Sequence, residues 1–339
     1  MLPPVKPFLP FWINFCFISE LLMGFVLFFH IISEKVYRTR GNIKMAKIGF
    51  IGLGQMGSAM CPNLIDSGHS LQVFDISKSA ADPIGNLGAK VSSTPKEAAL
   101  DCEVIFTILP VGSIVEDVVF GPDGISEGMA DSSIFVEMST ILPDETRSIG
   151  KRLAERGLSM VDAPVGRTSA HAVNRKSTFM VGGTKDDFNR VLPFLECMGE
   201  AVTYCGELGS GATVKLVNNY IAAVSNLVNA EGLALGLSAG VSEEIMVEVI
   251  SKTPAGLGHI TTTWPKKALV DDDLPAFMLD LARKDIGLAL AAGSASEVSL
   301  ATGKVAHEVY SKASAAGRGR QDWTTGIYRT VKKLSKIVD

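Results

Sequence analysis

The 339-residue sequence predicts an α/β protein in which a doubly wound parallel-sheet domain is followed by an all-α domain. Three observations carry this prediction. Short apolar runs alternate with helix-type segments from Met45 to about Gly206. The first run ends in a glycine-spaced turn, GLGQMG at residues 52–57, that opens a helix. Beyond Gly206 strand signals nearly vanish, and runs rich in Ala and Leu are separated by Gly, Pro or Ser.

Taken in order, the apolar run at residues 48–51 is short enough for a strand buried on both faces of a parallel sheet. HSLQVFDIS gives a second strand, and CEVIFTILP a third that Pro110 stops. SSIFVEMST, SMVDAPV and TFMVGG follow, and AVTYCG adds a short late one. Helices are expected between them, for example over 94–99 and 142–155. The all-α part opens with a long helix over about 212–239. The expected division is a hydrophobic leader at 1–44, a Rossmann-type dinucleotide-binding domain at 45–208 and an all-α substrate and oligomerisation domain at 209–339.

The leader follows a different rule from the rest, with seven of the 16 phenylalanines. Residues 8–32 carry one formal charge, Glu20, and are long enough to span a bilayer, with Lys35, Arg38, Arg40 and Lys44 after them. Pro10, Asn14 and Glu20 weaken such a span, and a strand begins directly after Met45. We read an over-extended start, with a membrane anchor as the alternative. A net charge of −4 gives no basic field for nucleic acid. Five scattered cysteines and five dispersed histidines offer no metal-type spacing and fit reduced thiols in a cytoplasmic enzyme.

Gly52, Gly54 and Gly57 form the G-x-G-x-x-G of a dinucleotide site. The first makes the tight turn, the second admits a pyrophosphate to the backbone, and the third lets helix and strand pack closely. Asp75 ends the second strand 18 residues after Gly57, where a carboxylate accepts from both ribose hydroxyls of NAD and repels the extra phosphate of NADP. NAD is therefore the expected cofactor. In GSGATVKLVNN, Lys215 and Asn219 are spaced i,i+4 and share a face of an apolar helix. A lysine there suits the proton transfer of carbonyl reduction, or else snorkels to the surface as an ordinary side chain. In VDAPVGRTSAHA, Arg167 sits among Gly166, Thr168 and Ser169, a mixture that suits an anion, with a surface or interdomain salt bridge as its alternative use. His171, His259 and Trp264 are read as shaping residues.

Four ordered motifs, GFIGLGQMG, DAPVGRTSAHA, GSGATVKLVNN and KDIGLAL, resemble the β-hydroxyacid dehydrogenases of the 3-hydroxyisobutyrate dehydrogenase type over residues 45 to about 323. Gly166-Arg167-Thr168 departs from the small-residue run usual at that motif, and with TTTWPKKAL and AAGRGRQDW it resembles the branch that reduces 3-sulfolactaldehyde. The resemblance implies NADH-dependent reduction of 3-sulfolactaldehyde to 2,3-dihydroxypropane-1-sulfonate, with Lys215 as acid/base. It implies a substrate lining of Gly166, Arg167, Thr168, Asn218, Asn219, Tyr220, Ile221 and Ala222. Gln55, Met56, Leu109, Thr140 and Lys284, beside Asp285, join Gly52, Gly54, Gly57 and Asp75 as cofactor residues by the same resemblance. It further implies a homodimer or homotetramer built through the helical domain. The alternatives are reduction of succinic or tartronate semialdehyde or glyoxylate, 3-hydroxyisobutyrate oxidation, and, in a different class, a non-catalytic dinucleotide-binding protein.

Overall fold

A computed structural model describes residues 45–334 apart from position 296, so the leader and its two readings lie outside the described residues. The described chain divides into two compact units, one ending at Leu216 and one beginning at Val217.

The first unit is a nine-stranded sheet: β1 Lys47–Ile51, β2 Ser70–Phe74, β3 Lys90–Val91, β4 Val104–Thr107, β5 Ile134–Glu137, β6 Ser159–Asp162, β7 Val165–Gly166, β8 Ser177–Gly182 and β9 Gly199–Gly206. The order β3-β2-β1-β4-β5-β6-β8-β7 starts with six parallel strands, in the two-way progression of a doubly wound fold. The far end was not legible as such: β8 runs antiparallel to β6 and β7, while β9 runs parallel to β8. The two-residue β3 was not foreseen either.

Period-two alternation builds a core on each face of the sheet. Phe50, Phe106, Val136 and Val161 point to one side with Met60, Leu64 and Leu195. Ile51, Ile105, Phe135 and Met160 point to the other with Val115, Ile149 and Leu153. Local signals start two of the helices, where polar side chains serve the backbone. Thr94 caps Pro95–Ala99 by accepting from the Glu97 N–H, and Thr184 caps Lys185–Met198 through the Asp187 N–H.

The long helix runs Ser210–Ser238, two residues earlier than expected at its start. The second unit takes its continuation and adds Glu243–Ile250, Leu279–Ala295, Ala301–Ala313 and Trp323–Leu334, and the described residues there form no strand beyond one bridge between Met278 and Asp322. Buried Asp322 ties that bridge by accepting from the N–H groups of Ala276 and Thr324 and from the Thr324 hydroxyl at 2.6–3.1 Å. His259 meets Trp323 edge-on at 4.9 Å, and Trp264 leans on Tyr328 at 5.0 Å, so both pack within this unit. No helix among the described residues is long and apolar enough to cross a membrane.

The third glycine of the turn is a packing requirement. A Cβ at Gly57 would drive into the Gly52 carbonyl oxygen and lie 3.0 Å from the Phe50 ring. Both neighbours are backbone or core, so the substitution Gly57→Ala is expected to cost about 1–3 kcal/mol. Urea denaturation followed by circular dichroism measures this, and an unchanged midpoint would contradict the packing described.

Candidate active site

The parallel strands place a cleft at the carboxyl ends of β1 and β4, where the strand order reverses direction. It has a volume of about 390 Å³. Gly52, Gly54, Gln55, Met56, Gly57, Asp75 and Leu109, all expected from the sequence, line it together. Thr140 is exposed and lies outside that lining. The sequence reading missed the apolar wall made by Phe74, Ile76, Pro110, Ile114 and Val118. Its only signal was the run of apolar residues directly after β2 and β4, which reads equally well as core. Ile76 is 95% exposed, which makes it available to cover a flat ring.

The glycine turn is shaped for a phosphate. Gly52 has φ +95° and its N–H donates to the Phe74 carbonyl at 3.0 Å, tying β1 to β2. A side chain at Gly54 would meet no atom within 4 Å, so the backbone there faces open space. Gly54 is also the N-cap of helix Gln55–Asp66 and supplies no side-chain cap, which leaves the first N–H groups and the positive helix end for an anion. Asp75 is held by two backbone donors, Leu53 N–H to Oδ2 at 2.7 Å and Ser77 N–H to Oδ1 at 2.8 Å. Its orientation is thereby set, and each oxygen keeps a lone pair for a ribose hydroxyl. Open backbone, an uncapped helix end and an oriented carboxylate fit a dinucleotide.

The wall at Leu109 is set from the next strand. The Leu109 N–H donates to the Ser139 hydroxyl at 2.8 Å, and the Ser139 N–H donates to Oε1 of Glu137 at 2.7 Å. Glu137 is 1% exposed, and burial pushes its carboxyl up to about 7, with neighbouring Asp162 and Glu145 adding to the rise. Its Oε2 has no partner among the described residues.

Lys215 lies in the second turn of the long helix and is buried, at 9% exposure. No hydrogen bond or ion pair reaches it among the described residues, and burial pushes its ammonium below the ordinary lysine range. The start of its helix is fastened by Asp162 at the end of β6. That carboxylate accepts from Gly209 N–H at 2.7 Å and Ala212 N–H at 2.6 Å, each bond favoured by the helix dipole. Ala212 lies one turn before Lys215 on the same face. Sequence reasoning missed this role of Asp162, because its partners are 47 and 50 residues away.

Arg167 leaves β7 with φ +70°, a left-handed conformation rare outside glycine. Its guanidinium pairs with Glu200 at the start of β9 and donates to the Lys176 carbonyl at 3.1 Å. The alternative use of this arginine, a surface salt bridge, is therefore present. Gly166 is buried, with no room for a Cβ beside the Thr178 hydroxyl, and exposed Thr168 exchanges a 2.9 Å hydrogen bond with His171. Asn218, Asn219, Tyr220 and Ile221 belong to the second unit and are exposed there, with Asn218 donating to Asn219 at 3.2 Å. The side chains of Ala222 and Asp285 lie outside the described residues. Lys284 is exposed on helix Leu279–Ala295 of that same unit.

Comparison with known proteins gives the same assignment independently. The NAD binding domain of 6-phosphogluconate dehydrogenase matches residues 47–206, and the NAD-binding domain of NADP-dependent 3-hydroxyisobutyrate dehydrogenase matches residues 209–330. The 3-sulfolactaldehyde reductase of Escherichia coli is 44% identical over 280 residues, 83% of this chain and 94% of that protein. The mitochondrial 3-hydroxyisobutyrate dehydrogenase of Drosophila melanogaster is 35% identical over 87% of this chain and 91% of its own. Among solved structures, a Mycobacterium tuberculosis 3-hydroxyisobutyrate dehydrogenase with L-serine superimposes with a TM-score of 0.61 at 29% identity, over 84% of this chain and 99% of its own. Cleft, glycine turn and matches agree: the chain is an NAD-binding oxidoreductase acting on CH–OH groups, and it belongs to the β-hydroxyacid dehydrogenase family of the 3-hydroxyisobutyrate dehydrogenase type.

Proposed function

We propose that this enzyme uses NADH to reduce 3-sulfolactaldehyde to 2,3-dihydroxypropane-1-sulfonate in the cytoplasm. Residues 45–208 hold the dinucleotide, and 209–339 serve substrate and assembly. The observation that carries the chemistry is Lys215, a buried ammonium with no counter-ion among the described residues. The bound NADH supplies a hydride to the aldehyde carbon. Lys215 gives its proton to the oxygen that becomes the hydroxyl, and desolvation makes that proton easier to release. Asp162 keeps the helix that carries the lysine in place. Thr140 and Lys284 complete the cofactor contacts in this reading, and Asn218 to Ala222 the substrate contacts.

Arg167 is assigned to the sulfonate. A sulfonate is permanently ionised and offers three acceptor oxygens to a rigid five-donor fork. The 44% identity to a 3-sulfolactaldehyde reductase supports this choice of head group. The Arg167–Glu200 pair is exposed on both sides, with 39% and 43% of the side chains accessible, so solvent screening leaves it weak and an incoming anion can replace the carboxylate. A second reading is reduction of a carboxylate semialdehyde, which the relationship to 3-hydroxyisobutyrate dehydrogenase favours.

Apolar side chains exposed on the second unit, including Val228, Leu237, Val241, Ile245 and Val249, support a homodimer or homotetramer. Light scattering on the purified protein should give a multiple of the chain mass, and a monomer at micromolar concentration would contradict this.

Two variants test the chemistry. With Lys215→Ala, turnover with NADH should fall by roughly 10²–10⁴-fold while NADH still binds, and NADPH should serve the wild type poorly. The wild-type reduction rate should fall as pH rises through the lowered lysine pKa, because the neutral amine has no proton to give. The proposed role is wrong if the variant keeps its rate. With Arg167→Ala, kcat/KM for sulfolactaldehyde should drop roughly 10- to 100-fold, the worth of a charged hydrogen-bonded contact. An indifferent variant would remove the sulfonate role and leave the family assignment intact.

A further inference from the structure

Three polar residues stand side by side where β4, β5 and β6 end: Thr107, Glu137 and Asp162, paired in register across neighbouring parallel strands. Their side chains share the face that carries Ile105, Phe135 and Met160. All three are essentially inaccessible, at 0%, 1% and 0%. Two acids therefore occupy adjacent positions in an apolar layer, and no cation is paired with either among the described residues. Glu145, on helix Pro143–Ala154, adds a third negative charge toward Glu137.

The two acids differ in what they hold. Asp162 accepts two backbone N–H bonds at the start of the Lys215 helix. Glu137 accepts one, from Ser139, while its Oε2 and the Thr107 hydroxyl are buried without a partner among the described residues. Two like charges this close and this dry do not both persist, so one site keeps a proton. Charge belongs on Asp162, where the helix end and two donors stabilise it, and the proton belongs on Glu137.

We propose that Glu137 is a positioning residue of the cofactor site that works in its protonated form. Neutral Glu137 holds Ser139, Ser139 holds the Leu109 N–H, and Leu109 forms the wall of the dinucleotide cleft. The proton also spares Asp162 a like charge while it fastens the catalytic helix. Loss of the proton sets Glu137 against Asp162 on β6 and Glu145 on the neighbouring helix, and the end of β5 is the part that yields. The Glu137 carboxyl, pushed up to about 7 by burial, couples dinucleotide affinity to pH across neutrality. The sign follows from the proton: the arrangement is intact on the acid side and is lost as pH rises.

The test is NADH binding, followed by NADH fluorescence, between about pH 6 and about pH 8.5. The wild-type Kd should rise by about fivefold or more across that range. Glu137→Gln, which carries a neutral group of the same shape, should show a Kd that does not vary with pH. Ser139→Ala, which cuts the link to Leu109 and keeps both acids, should bind more weakly and lose the pH dependence. A wild-type Kd that is flat, or a Glu137→Gln variant that keeps the wild-type rise, overturns the proposal. A Ser139→Ala variant with the full rise overturns the route through Leu109. Circular dichroism of each variant separates these outcomes from loss of fold.

Discussion

The structure turns on one buried carboxylate. Asp162 ends β6 with no exposure and takes the N–H groups of Gly209 and Ala212, so the sheet and the helix bearing Lys215 are joined by charge-assisted bonds in a dry layer. Burial pushes this carboxyl up and the backbone donors hold it down. Gly209 has φ +88°, and a side chain on Gly211 would meet the Asp162 carboxylate at 2.8 Å, which explains the small residues of GSGA at this junction. A buried lysine needs a rigid mounting, because a disordered helix end would let its ammonium reach water.

Much of this was legible from local signals. The glycine spacing, the strand before it and Asp75 at the end of β2 are neighbours in sequence and in space, and they meet in one cleft. Five of the six parallel strands follow from apolar runs of the right length, the two-residue β3 being the exception. What was not legible depends on partners far along the chain. No local signal singles out Glu137 or Asp162 at the ends of their strands, and only the register of β5 and β6 makes them adjacent. The antiparallel end of the sheet escaped for a similar reason. β7 is two residues long, too short to show a period.

Arg167 shows both sides of such reading. Its residue type and setting point to an anion, and the chain supplies one in Glu200, 33 residues on and brought close by the pairing of β8 with β9. The left-handed backbone at Arg167 is a local cost that a packing role alone does not require. An exposed ion pair is also a poor reason to keep it. In the proposed function an anionic substrate would take the place of Glu200 on this guanidinium.

The most direct measurement is steady-state NADH oxidation by the purified protein with 3-sulfolactaldehyde and succinic semialdehyde in parallel. The kcat/KM for sulfolactaldehyde should be higher by about tenfold or more, since a site built for one charged head group discriminates against another. Equal or better turnover of the carboxylate substrate would contradict the sulfonate assignment, and the enzyme would then be a semialdehyde reductase on the same scaffold.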